Sequence, residues 1–300
     1  MKKKTYLFAL MAMVLTLGSC SDNENGIGGE TSKYITVSTS IGNMTRVATD
    51  VKGGQTFEEG DEISVYAWTG DATVAPETRE RVVNNAINKL TNGSWVSTPQ
   101  MLWKNNRDKH YFIGVYPISA ISDLSAGEYT FDVNKQTESD LLVAVNKDGL
   151  SYNVDEQQTV PLTFTHVMAK LVVNLTYKNQ WGGIPTVEKV VVGNAAKEAT
   201  INYLTKVVTP STTAKEDFSL PEITENTKYV SVIIPQEDVK QLTIVIGGKN
   251  FVYDNGTPFK LESGKITTVN LEVGRDEIKL GDVKITNWED GSTFSGEALN

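Results

Sequence analysis

Cysteine is nearly absent: Cys20 is the single one in 300 residues. A lone thiol closes no intrachain disulfide and builds no cysteine-rich zinc site, so each domain must be held by its own apolar core. Histidine is scarce as well, with only His110 and His166. They lack the paired spacing of a zinc site, and no serine or aspartate pattern near them suggests a triad. His166, on the polar face at the start of an alternating run, reads as a hydrogen-bonded structural histidine. Phosphate-loop spacing is missing from "GGQTFEEG" and "GGKNF", which read as turns. "DVNKQTESDLLV" begins like a calcium loop at Asp132 and Asn134 and then fails, with Thr137 where glycine is needed and Val143 where the bidentate glutamate belongs. No catalytic residue, metal site or cofactor is expected, and the chain does not read as an enzyme. Basic residues are outnumbered, 28 against 37 acidic, which argues against a nucleic-acid partner, because phosphate binding needs a basic surface.

What is present begins at the N-terminus. Lys2, Lys3 and Lys4 form a positive head, Tyr6 to Leu17 an uncharged apolar core too short to span a bilayer, and Gly18 and Ser19 are small residues before Cys20. Residues 1–19 read as a secretory signal. Leu17-Gly18-Ser19-Cys20 resembles a bacterial lipobox, in which cleavage before the cysteine leaves its thiol carrying a diacylglycerol and its amine a further acyl chain such as palmitate. At about 0.8 kcal/mol per buried CH2, two or more chains give a lasting tether. Residues 20–33 then read as a flexible acidic linker. The expected location is the outer membrane and cell surface, after export through the periplasm. Removing residues 1–19 leaves 25 basic residues against 37 acidic.

Beyond the linker, strict alternation is the commonest period. In "HVMAKLVVNLTY" the odd positions from Val167 to Tyr177 are apolar, which predicts one strand with a buried face. "YITVSTSI", with Ile35, Val37, Thr39 and Ile41 on one face, "DEISVYAW", "YVSVIIP", "QLTIVIGG" and "TTVNLEV" repeat the pattern. "ETRERVVNNAINKL" is ambiguous between a short helix and an irregular strand, and strand is the preferred reading. Turn signals such as Asn92-Gly93 and Gly247-Gly248 separate the runs. Many short strands at this spacing predict an all-β chain of β-sandwiches. Its length favours two domains, 34–160 and 161–300. Tyr66, Trp68, Trp95, Trp103, Tyr111 and Tyr116 cluster in the first half. Most should fill a core, with one or two exposed rings left open as a ligand platform.

The lipobox, "MTRV", "FEEGDEISVYAW", Trp95, Trp103, "YFIGVYP", "LTFTHVMAKLVVNL" and "VKITNWEDG", in that order, resemble the fimbrillin-like family, subunits of type V pili. The resemblance implies two transthyretin-like, Greek-key β-sandwiches in tandem, a lipoprotein precursor, and proteolytic loss of an N-terminal strand before polymerisation. Partners would be other pilin subunits and, through the lipid on Cys20, the outer membrane. On this reading "KYITVSTSI" is the removable strand, vacating pockets for Ile35, Val37 and Ile41, and the cut falls between Arg46 and Val47. An ordinary loop arginine is the competing reading of Arg46. Ile278, Leu280, Val283 and Ile285 mark a strand that either closes the second sandwich or donates to a neighbour. Stalk, tip and accessory positions all remain open. The alternative is a non-polymerising surface lipoprotein that binds a host glycan or protein receptor through exposed aromatics.

Overall fold

The computed structural model describes residues 33–42, 56–136, 139–153, 155, 156 and 158–288. Among the described residues there is no α-helix and there are nineteen strands. The first eight are β1 (Thr36–Ile41), β2 (Glu62–Thr69), β3 (Arg81–Thr91), β4 (Ser94–Thr98), β5 (His110–Tyr116), β6 (Gly127–Thr130), β7 (Leu142–Leu150) and β8 (Thr159–His166). The next six are β9 (Ala169–Tyr177), β10 (Val187–Ala196), β11 (Glu198–Asn202), β12 (Val207–Pro210), β13 (Lys215–Ser219) and β14 (Glu222–Thr224). The last five are β15 (Lys228–Ile233), β16 (Gln236–Ile246), β17 (Lys249–Leu261), β18 (Lys265–Val273) and β19 (Ile278–Asn287). The all-β expectation is met, and the ambiguous stretch is the strand β3. It bulges between Val83 and Ala86, where Asn85 adopts φ 56°.

Seven strands form one sheet in the order β1-β8-β7-β5-β2-β3-β4. β1 runs parallel to β8, and every other pairing in this sheet is antiparallel. Both faces are apolar, as the alternation along β2 requires. Ile63, Val65 and Ala67 point to one cluster with Phe112, Val160, Leu162 and Phe164, whereas Tyr66 and Trp68 point to a second with Ile113, Val115 and Val143. The sheet curls round the first cluster until its ends approach: Tyr34 bridges Leu102, and the Ile35 N–H donates to Met101 O at 3.0 Å. Gly114, on β5, lies under the Phe164 ring. A Cβ there would lie 2.7 Å from the Phe164 ring, so only glycine lets the ring cross β5.

The later strands form a sandwich. A five-stranded sheet, β14-β15-β9-β18-β19, faces a four-stranded one, β13-β10-β16-β17. Leu171, Val173, Val269 and Leu271 from the first meet Val190, Val192, Leu242 and Ile244 from the second in one core. β6 leaves the first half to pair with β11, which pairs in turn with β12. The run read as one strand from His166 to Tyr177 is in fact two. β8 ends at His166, inside the first sheet, and β9 starts at Ala169, inside the sandwich. Between them the Val167 N–H donates to Leu141 O, and Met168 O accepts from Gly264 N–H. These partners satisfy the backbone at the crossing, so the ladder can stop there.

Candidate functional site

β1 is unlike the other strands of its sheet. All six of its residues pair with β8, from Thr36 opposite Thr159 to Ile41 opposite Phe164, and Gly42 N–H extends the ladder to Phe164 O at 2.8 Å. Its inward row is Ile35, Val37, Thr39 and Ile41, facing Val160, Leu162 and Phe164 across the register. Ile35, Val37 and Ile41 are 3%, 6% and 6% exposed, and Thr39 is half-buried. Ser38 and Ser40 face outward, and the Ser40 hydroxyl donates to Thr163 Oγ1 at 3.2 Å. Parallel pairing is slightly weaker per residue than antiparallel, so one side of β1 is held by a modest ladder.

The other side is mostly open. Among the described residues the backbone is tied there at its N-terminal end, by the Ile35 bond to Met101 and by Trp103 N–H donating to Lys33 O at 3.2 Å. Along Thr36 to Ile41 a cleft of about 790 Å³ separates β1 from β4, walled by Phe57, Leu90, Gly93 and Trp95. One side-chain bond crosses it, from Trp95 Nε1–H to Thr39 Oγ1 at 3.0 Å. Phe57 stands edge-on to Trp95, Tyr116 and Phe164 with centroids 5.1 to 5.4 Å away, so the floor of the cleft is aromatic. The Tyr116 phenol, raised in pKa first by burial and then by the Asp61 carboxylate that accepts its bond at 3.3 Å, is neutral at physiological pH. The pockets under the inward row of β1 are lined by Val160, Leu162 and Phe164, which suits an extended strand with alternating apolar side chains.

β19 forms the far edge of the five-stranded sheet and pairs with β18 alone. A bulge opposite Asn270 and Leu271 keeps Ile278, Leu280, Val283 and Ile285 on the inward face, paired with Val273, Leu271, Val269 and Thr267. Ile278 and Leu280 are half-buried, whereas Val283 and Ile285 are 40% and 39% exposed. Just past β19, Trp288 N–H donates to Gly264 O at 3.0 Å. Its indole stacks on His166 at 4.1 Å and 6°, with Lys170 Nζ 5.3 Å from the ring. His166 is fixed from its other side by Asp140, 2.9 Å from Nδ1.

Cys20, Arg46 and Val47 lie outside the described residues. Of the six aromatics singled out in the first half, Tyr66, Trp68 and Trp103 are buried and Trp95, Tyr111 and Tyr116 half-buried. Trp68, on β2, which is buried on both faces, is 2% exposed, and Trp103, in the segment between β4 and β5, is 8% exposed against His110 and Phe112, so neither ring offers a flat surface to a ligand. Tyr111 and Trp95 are half-buried, packed on Trp68 and Phe57. His110 is buried, with Nε2 accepting the Lys104 N–H at 3.0 Å and Nδ1 facing Asp108 O at 3.1 Å. These partners suit the neutral ring, and burial lowers its pKa further. Asp132 accepts the Asn134 N–H at 2.9 Å in a turn. Among the described residues no three of His, Cys, Asp and Glu are grouped to hold a metal ion. Sequence reasoning missed the Met101–Trp103 segment and the Trp95 contact, which carry no local signal because their partners lie more than 50 residues away.

Residues 45–288 match the family model described as fimbrillin-like. The chain belongs to that family. Over 315 residues this fimbrillin-like chain is 24% identical to a Bacteroides uniformis protein named as fimbrium subunit Fim1C, covering 97% of each. Solved structures share its fold. One, from Bacteroides uniformis and assigned to cell adhesion, aligns at TM-score 0.62 and 18% identity over 85% of this chain and 98% of its own. A Bacteroides ovatus protein with the same assignment reaches 0.63 at 17% identity, with the same coverage. A fimbrial protein of Bacteroides vulgatus aligns at 0.53 and 11% identity over 84% of this chain and 99% of its own. The fimbrillin-like family is one of structural subunits of surface fimbriae rather than of enzymes.

Proposed function

We propose that this protein is a fimbrial subunit that joins its neighbours by strand exchange, β1 being the strand that leaves. The observation that carries this reading is the seating of β1. It fills three deep apolar pockets, yet among the described residues it is laddered along one edge only and borders a cleft on the other. Refilling those pockets contributes roughly 1.5 to 3 kcal/mol each. Each backbone bond adds about 0.5 to 1.5 kcal/mol. The family match begins at residue 45, so the matched span leaves β1 out.

The signal at residues 1–19 exports the chain, and lipid on Cys20 holds the precursor at the outer membrane. A protease cut between Arg46 and Val47 severs β1 from β2 and leaves the lipid on the smaller fragment. A partner's strand then takes the vacated place beside β8. Within this chain the strand suited to donate is β19, which carries four apolar residues on one face and leaves two of them partly exposed. The accepting half runs through β8 and the donating half starts at β9, with Val167 and Met168 as the crossing, past the boundary expected at residues 160 and 161.

The test is to incubate the purified precursor with an Arg-specific protease, identify the cut by mass spectrometry, and run unboiled samples on denaturing gels. Strand exchange gives a ladder of oligomers that boiling collapses. Complete cleavage after Arg46 with no oligomer under any condition sinks the proposal.

A further inference from the structure

The inward row of β1 contains one mismatch. Ile35, Val37 and Ile41 are apolar and buried, but Thr39 is polar, half-buried, and placed where the row meets the cleft. Its neighbours there are apolar and incompletely covered: Phe57, Leu90 and Trp95 are all half-buried and line the same space. Across the register stands Leu162, fully buried, which confirms that position 39 looks inward. A threonine has too little apolar surface to cover these groups, and the 790 Å³ cleft leaves room for a longer side chain.

We infer that the Thr39 position is a specificity subsite: the groove prefers an incoming strand with a large apolar residue, leucine or isoleucine, in place of Thr39, and so holds a pilin's donor strand more tightly than its own β1. The partner is an extended peptide segment with an unbroken row of four apolar residues. This rests on the strand-exchange reading. The bond lost from Trp95 Nε1 is replaced by solvent, because Trp95 is half-exposed. Two further buried methyl-sized groups correspond to about a tenfold gain in affinity.

Two experiments separate this inference from the reading beneath it. In the first, the full chain is cut after Arg46 in the presence of labelled synthetic peptides of residues 33–42: the native sequence, Thr39→Leu, and the outward control Ser38→Leu. Incorporation is followed by fluorescence anisotropy and mass spectrometry. Thr39→Leu should bind about tenfold tighter than native, and Ser38→Leu should not gain. If the native peptide enters and Thr39→Leu enters no better, the subsite is overturned and strand exchange stands. If no peptide enters, both fall. In the second, Thr39→Leu is placed in the uncut chain, where it should raise the thermal midpoint and slow replacement of β1 by native peptide after cutting. A lowered midpoint overturns the subsite independently of any exchange.

Discussion

Truncating Ile41 to alanine tests whether β1 is a structural occupant of the first core. Ile41 is 6% exposed and registers with Phe164, whose ring also carries Phe57 at 5.1 Å. The change removes three carbon groups at about 0.8 kcal/mol each, a transfer loss of about 2.4 kcal/mol. A residual void would add to this, but one wall of the site is the side of an open cleft and can relax inward. The cost should therefore fall in the lower part of the usual range for isoleucine to alanine, about 2.5 kcal/mol. For a chain of this size that lowers the thermal midpoint by about 5 to 10 °C. The assay is calorimetry on the uncut chain, with Ser38→Ala as control. Ser38 faces solvent, and its truncation should move the midpoint by no more than about 2 °C. If Ile41→Ala falls within the range of the control, β1 does not stabilise this fold and the reasoning about its removal has no footing.

Acidification should destabilise the fold through His110. Burial lowers its pKa below the unfolded value of about 6.5, so the unfolded chain binds more protons. Its contribution is complete above that value, declines as pH falls through it, and is lost once pH passes the folded-state pKa. Urea midpoints at pH 7.5 and 5.5 should show the loss, and His110→Gln should reduce the difference; an unchanged slope in the variant would exclude His110 as its source. Gly114→Ala would place a methyl 2.7 Å from the Phe164 ring and 3.1 Å from Leu162 Cδ1, overpacking the curled sheet by about 1 to 3 kcal/mol. Thermal melts check it, and a neutral result would mean that the ring moves aside without cost.

Period-two alternation made the faces of the strands legible, and with them the inward row of Ile35, Val37 and Ile41. It did not make their neighbours legible. A side-chain period says which face is buried and nothing about which strand lies alongside, and β1 pairs with a strand 123 residues further on, Ser40 bonding to Thr163. The crossing was hidden because Val167 continues the odd-position apolar row of β9; Met168, an apolar residue at an even position, breaks that alternation and marks where the backbone leaves the ladder. Which of the six aromatics would be fully buried was not legible for a related reason. Composition cannot separate an aromatic on a two-faced buried strand from one on a surface strand, and β2 is buried on both faces. The Thr39 mismatch, by contrast, is legible in the sequence as the one polar member of an apolar row. Only the cleft beside it gives that polarity a consequence.

A cut after Arg46 alters none of the contacts that hold β1 in its groove. The ladder to β8, the three buried side chains and the Trp95 bond all belong to residues 35–42 and their partners, short of the cut. What the cut alters is concentration. While β1 is joined to β2 by the chain between Gly42 and Thr56, its effective concentration at the groove is of millimolar order, and any free strand must outcompete it. Once severed, β1 is no longer tethered to the groove, and a donor strand competes with it on affinity and concentration alone. A strand with the same affinity as β1 would then exchange slowly and reversibly, but one that fills the Thr39 position better is favoured at every encounter. Proteolysis and side-chain mismatch are thus complementary on this reading: the first removes the advantage of the tether, and the second sets the direction.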